Sequence, residues 1–175
     1  MSIGESRIST RCKIVEEHVR LENQRDLEGV MSTFGVTARY DDEPYGEHHI
    51  GRDQVRAYYA GLLAAMPDLK IDVRERHPTE AAIVLEVVIS GHHEGAWRGL
   101  PATGRRVEFP LCGIFTFDDS DRLSGEKIYY DRATVLRQLG VFHEPERALG
   151  RINVALMHPA TIARIVSRKI LGRYR

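Results

Sequence analysis

The hydrophobic period of this chain changes at Lys70, and that change constrains its fold more than any other feature. Before it, Ile8, Cys12, Val15 and Val19 recur at four-three-four spacing and mark one apolar face of a helix, with Ile14 and Leu21 widening it. Asp26 is placed to cap a second short helix carrying Leu27, Val30, Met31 and Phe34. Residues 36–40 read as a short strand, and 41–51 as a loop rich in Asp, Pro, Gly and His. Asp53 is expected to cap a third helix over 54–65, which turns Val55, Tyr58, Tyr59 and Leu62 inward. Met66-Pro67-Asp68 ends it, because proline cannot continue a helix.

From Lys70 onward the period is two. Residues 70–77, 81–93, 105–117 and 125–130 read as strands, joined by turn-rich segments at 77–80, 99–104 and 118–121. Helices first and a strand meander after them predict an α+β fold, with helices packed on one face of a curved antiparallel sheet. Such a cone has one open end and room for a small apolar ligand. The glycines at 91, 95, 99 and 104 suit turns and a bulge, since no helix N-terminus or Lys-Ser/Thr follows them.

Lys and Arg total 25 and Asp and Glu total 25, so the net charge gives no reason to expect nucleic-acid binding. The balance is uneven, however. Residues 143–175 hold seven Lys/Arg against Glu144 and Glu146. Within that tail, 145–157 and 161–171 read as helices broken at His158-Pro159. Ile162, Ile165, Val166 and Ile170 form a stripe flanked by Arg164, Arg168, Lys169 and Arg173. This basic extension, 142–175, is expected to pack on an acidic protein surface in preference to a membrane surface. Cys12 and Cys112 have no metal or redox spacing, and Met1 to Glu5 carries no apolar run, so a cytoplasmic location is expected.

The stretch from Gly125 to Gly140 ends a strand on a carboxylate and continues into a short helix. Asp131 is therefore either the cap of a helix over 132–139 or a carboxylate presented to a cavity. Alternation sets Lys127, Tyr129 and Asp131 on one face, and Glu126, Ile128 and Tyr130 on the other.

The order and spacing of Tyr40-Asp41-Asp42, Gly51-Arg52-Asp53-Gln54-Val55-Arg56-Ala57-Tyr58-Tyr59, Met66-Pro67-Asp68-Leu69, Gly91-His92-His93-Glu94-Gly95 and Gly99-Leu100-Pro101-Ala102-Thr103-Gly104-Arg105 make a pattern. With Asp131 ahead of Leu136-Arg137-Gln138-Leu139-Gly140, it resembles the SnoaL-like polyketide cyclases, within the wider nuclear-transport-factor-2-like and ketosteroid-isomerase-like cone folds. The resemblance covers roughly residues 10–141, taken as one domain, 1–141. It implies a pocket without cofactor or metal, a homodimer, and an intramolecular aldol closure run by a carboxylate near the end of the last strand. Asp131 matches that carboxylate, and His93 matches the family's histidine. His92 stands where a small hydroxyl residue is usual.

The expected catalytic residues are thus Asp131 as acid/base, with His93 and Tyr129 assisting. Tyr40, Trp97, His92 and Phe115 are expected to bind the substrate, a small apolar carbonyl compound. Adjacent strand residues point to opposite faces, so one histidine of each pair, His48-His49 and His92-His93, is expected to face the cavity. A non-catalytic member of the fold, binding a small molecule or a protein, is the alternative, and addition of water or oxygen to a polycyclic substrate is a third reading.

Overall fold

The computed structural model describes residues 3–171, with side chains described over 5–164 and at 167. It divides into one compact unit ending at Leu139 and another beginning at Gly140. In the first, α1 (Ile3–Gln24) buries the expected face through Val15, Val19 and Leu21. That face also carries three polar side chains, Arg11, His18 and Glu22, each less than a tenth exposed. Asp26 caps α2 (Leu27–Thr33), accepting from the Gly29 N–H at 2.9 Å.

The expected loop at 41–51 is instead the end of one strand, a turn and a second strand. β1 (Arg39–Asp42) runs into a 3-10 turn (Glu43–Tyr45) and returns as β2 (Glu47–Ile50), antiparallel and in register at Asp41 and His48. Asp, Glu, Pro and Gly are poor strand formers, so composition argues against a hairpin here. Tertiary pairing overrides it: β1 also pairs in parallel with the last strand, and Asp41 contacts His48 Nδ1 at 2.7 Å. α3 (Arg52–Ala65) starts earlier than expected. Its cap is Gly51, whose φ of +89° glycine accommodates readily, and Asp53 lies in the first turn.

β3 (Lys70–Pro78), β4 (Ala82–His92), β5 (Arg106–Phe117) and β6 (Leu123–Tyr130) follow the expected strands to within a few residues. The sheet has six strands in the order β2-β1-β6-β5-β4-β3, curved and unclosed. All neighbours are antiparallel except β1 and β6. Helix α4 (Arg132–Gln138) follows β6. Val55 and Tyr59 of α3, Ile83 and Leu85 of β4 and Phe115 of β5 join the face of α1 in one core. Each such fully buried side chain contributes about 1.5–3 kcal/mol. The register of β5 on β6 skips Ser124, so Leu123 and Glu126 both face inward despite their odd spacing.

In the second unit, α5 (Ala148–Met157) and α6 (Pro159–Leu171) meet at His158, with Pro159 opening α6 where a missing N–H costs nothing. A Cβ on Gly150 would lie 1.8 Å from the Glu144 carbonyl oxygen, which is why no larger residue fits. Leu149, Ile152, Leu156 and Met157 of α5 are exposed. Of the stripe expected on α6, the side chains of Ile165, Val166 and Ile170 lie outside the described residues, as do those of Arg168, Lys169 and Arg173. No helix among the described residues is long and apolar enough to cross a membrane.

Candidate active site

The concave side of the sheet and the inner faces of α1 and α3 enclose a pocket whose empty space, with the open solvent at its mouth included, is about 1020 Å³. Its walls are apolar and aromatic, with Leu85, Val87 and Ile89 of β4 and Phe109 and Phe115 of β5 on the sheet side. Tyr40 of β1, Tyr58 of α3 and Trp97 complete the lining, and the centroids of the Tyr40 and Tyr58 rings are 4.2 Å apart. The ionisable groups other than tyrosine in this lining are Glu22, His93 and Glu126.

The two carboxyls belong to one buried cluster. Glu22 and His18 stand one turn apart on α1, and Glu126 faces them from β6. His18 is fully buried, its Nε2 3.3 Å from Glu126 Oε2 and 3.6 Å from Glu22 Oε2. Tyr59 of α3 donates a short hydrogen bond to Glu126 and lies 3.1 Å from His18 Nε2. Burial pushes the Glu22 carboxyl up to about 8; Glu126 pushes in the same direction, while His18 and Tyr59 oppose it. Burial alone would lower the His18 pKa, but Glu22 and Glu126 outweigh it and the net shift is upward. Among the described residues, His18, Glu22 and Glu126 form the group whose donor atoms approach closely enough to converge on a cation, all within 4.8 Å. The Tyr59 hydroxyl already sits between two of them.

His93 extends from the end of β4 and is 3% exposed. Its Nδ1 accepts the Thr103 backbone N–H at 3.3 Å, and the Thr103 hydroxyl lies 3.2 Å from the same atom. Nδ1 is thus the acceptor and Nε2 carries the proton. Burial lowers the pKa and keeps the ring neutral. Nε2 is buried with no hydrogen-bond partner among the described residues, and His93 lines the pocket.

A second network backs the tyrosines. Asp42 is 1% exposed and receives Arg98 Nη2 at 2.7 Å and the Tyr58 hydroxyl at 3.2 Å on one oxygen. Burial raises the Asp42 pKa against the pull of Arg98. Arg98 and Gly99 both have positive φ in the two-residue turn closed by Trp97 and Leu100. Arg98 also pairs with Glu47 and stacks 3.8 Å from the centroid of Tyr45, a pocket residue.

Four of the expected site residues line the pocket: His93, Tyr40, Trp97 and Phe115. Three lie outside it. Asp131 is exposed and caps α4, accepting from the Ala133 N–H at 2.9 Å and the Thr134 hydroxyl at 2.5 Å. Those bonds, Thr134 first, hold its carboxyl below the usual range, the reverse of what a general acid at neutral pH needs. Tyr129, on the same outer face of β6, is 45% exposed. His92 points away from His93 and pairs with Asp68, Nδ1 to Oδ2 at 2.6 Å. The inward face of β6 is the one with Glu126, Ile128 and Tyr130. Its greater apolarity, Ile and Tyr against Lys and Asp, was the available signal. Sequence reasoning also passed over His18 and Glu22, two ionisable residues four apart beside the buried Val15 and Val19.

Residues 13–139 match the SnoaL-like polyketide cyclase family. Among solved structures, AclR of Streptomyces galilaeus, described as a proposed hydroxylase, is 22% identical with a TM-score of 0.68, over 78% of this chain and 99% of AclR. A proposed SnoaL-like polyketide cyclase from Jannaschia sp. CCS1 is 17% identical with a TM-score of 0.69, over 82% and 98%. SalBIII, an epoxide hydrolase/cyclase-like enzyme of pyran ring formation in salinomycin, is 17% identical with a TM-score of 0.61, over 71% and 92%. At these identities the likeness shows the fold. No curated protein matches by sequence.

Proposed function

Because the chain belongs to the SnoaL-like polyketide cyclase family, we propose that it is a cyclase- or isomerase-type enzyme for an apolar, enolisable carbonyl compound, with Glu126 and Glu22 as base and acid. The observation that carries this reading is the pair of buried carboxyls in the wall of an otherwise apolar pocket. Two carboxyls in contact with one histidine, one of them held protonated to about pH 8, supply a base and an acid at neutral pH.

In the reaction, the Glu126 carboxylate removes a proton from the carbon next to a carbonyl. The enolate oxygen takes a hydrogen bond from His93 Nε2–H, a donor with no partner among the described residues. In a cyclisation the enolate carbon bonds to a second carbonyl carbon of the same molecule, and the resulting alkoxide takes the Glu22 proton. In an isomerisation the proton returns to a different carbon. The apolar walls exclude water, which strengthens each of these interactions.

The test is deuterium uptake from heavy water at carbons next to the carbonyl, followed by NMR over a panel of cyclic and polycyclic ketones, esters and steroids. Wild type and Asp131→Asn are expected to exchange alike, and Glu126→Gln to lose roughly 100-fold or more, the usual worth of a positioned base. Exchange that survives in Glu126→Gln and vanishes in Asp131→Asn would return the chemistry to the outer carboxylate.

A further inference from the structure

His18 is not in the pocket wall, yet every polar atom of its ring is committed. The groups around it come from five elements: Glu22 on its own helix, Thr33 and Phe34 at the end of α2, Tyr59 of α3, Phe115 of β5 and Glu126 of β6. The three aromatic rings meet it edge-on, at 5.4 to 6.0 Å, and fix its orientation.

A hydroxyl has one proton, and following those protons assigns the charge. The Thr33 hydroxyl donates to the Val30 carbonyl at 2.7 Å, and a carbonyl can only accept. The 2.7 Å contact between Thr33 Oγ1 and His18 Nδ1 therefore places a proton on Nδ1. The Tyr59 hydroxyl gives its proton to Glu126, so the 3.1 Å contact with Nε2 places a second proton on the ring. The reverse arrangement would set a nitrogen lone pair against carboxyl oxygens at 3.3 and 3.6 Å.

We propose that His18 is a permanently buried imidazolium, a positioning residue that neutralises one charge of the Glu22–Glu126 pair and leaves one proton between them. This rests on the reading of those carboxyls as acid and base. One cation shared by two carboxyls stabilises a single negative charge; a second would stand uncompensated in an apolar wall. The cation thus decides that the pair holds an acid and a base, and not two acids. Tyr59 selects which is which by hydrogen-bonding the Glu126 carboxylate.

The experiment is a nitrogen-15 NMR titration of the histidine rings in the full chain from pH 6 to 9, with His18 assigned by its proton contacts to Phe34 and Phe115. Both His18 nitrogens are expected to stay protonated through pH 8, and Glu126→Gln to lower the midpoint of deprotonation by at least one pH unit. A lone pair on either nitrogen at pH 7.5 in the wild type would overturn the proposal, whatever the exchange assay gives. In a His18→Gln variant whose near-ultraviolet dichroism shows it folded, the pH profile of deuterium exchange should move upward by one unit or more, because the carboxyl pair has lost its counter-ion. An unmoved profile would also overturn it. Loss of exchange in the wild type beside an intact imidazolium signal would count against the proposed reaction and leave this inference standing.

Discussion

Replacing Glu22 by Gln should change how stability depends on pH. In the unfolded chain this carboxyl titrates near 4.5, whereas in the folded protein burial pushes it up to about 8. Between those values the native state holds a proton that the unfolded state has released. Stability therefore falls as pH rises across that window, by about 1.4 kcal/mol per pH unit for one group. From pH 5 to 7.5 the loss is on the order of 3 kcal/mol, a large share of a typical domain stability. His18 acts in the same direction: its raised pKa gives stability that is present below 6.5 and lost as pH climbs through the folded value. The lowered carboxyls Asp41, Asp68, Asp121 and Asp131 contribute above 3.8 and lose that contribution only toward acid, so they do not mask the effect. Gln keeps the shape and polarity of the neutral acid and cannot ionise. Urea unfolding at intervals from pH 5 to 8 should show a declining wild-type curve and a much flatter Glu22→Gln curve. Parallel curves would mean that Glu22 ionises in the folded state as it does in water, and the acid half of the proposed chemistry would fail.

The remaining expectations concern the turn beside the pocket and its neighbours. Arg98→Met strands the Asp42 carboxylate, 1% exposed, without its guanidinium, and should cost about 3–5 kcal/mol in urea unfolding; adding Asp42→Asn should restore much of that loss. Gly95→Ala places a Cβ 2.3 Å from the Ala64 carbonyl oxygen, a backbone atom that cannot swing aside, and should destabilise by about 1–3 kcal/mol. Trp97→Ala should weaken binding of a two-ring ketone, read by calorimetry, more than it lowers the melting temperature, since the ring lines the pocket at the edge of Tyr58.

Several elements were open to direct reading because their causes are local. The face of α1, the alternation of β4 and β5, the cap at Asp26 and the stop at Pro67 each depend on residues within a few positions of one another. The cap reading of Asp131 is of the same kind, and its bonds to Ala133 and Thr134 are all local. Alternation said only that one of His92 and His93 faces the cavity, and the family resemblance pointed to His93. The β1–β2 hairpin was not: what holds Asp41 and His48 in strands is pairing with each other and with β6, nearly ninety residues on.

The candidate site divides along the same line. Alternation by itself determined that Glu126, Ile128 and Tyr130 share one face and Tyr129 and Asp131 the other. Which face lies inside depends on the side from which α1 and α3 close the sheet, and no stretch of sequence contains that side. His18 and Glu22 lie one helical turn apart in any helix. Only the folded chain brings Tyr59 and Glu126 against them and removes the water, and that desolvation is what raises the Glu22 pKa.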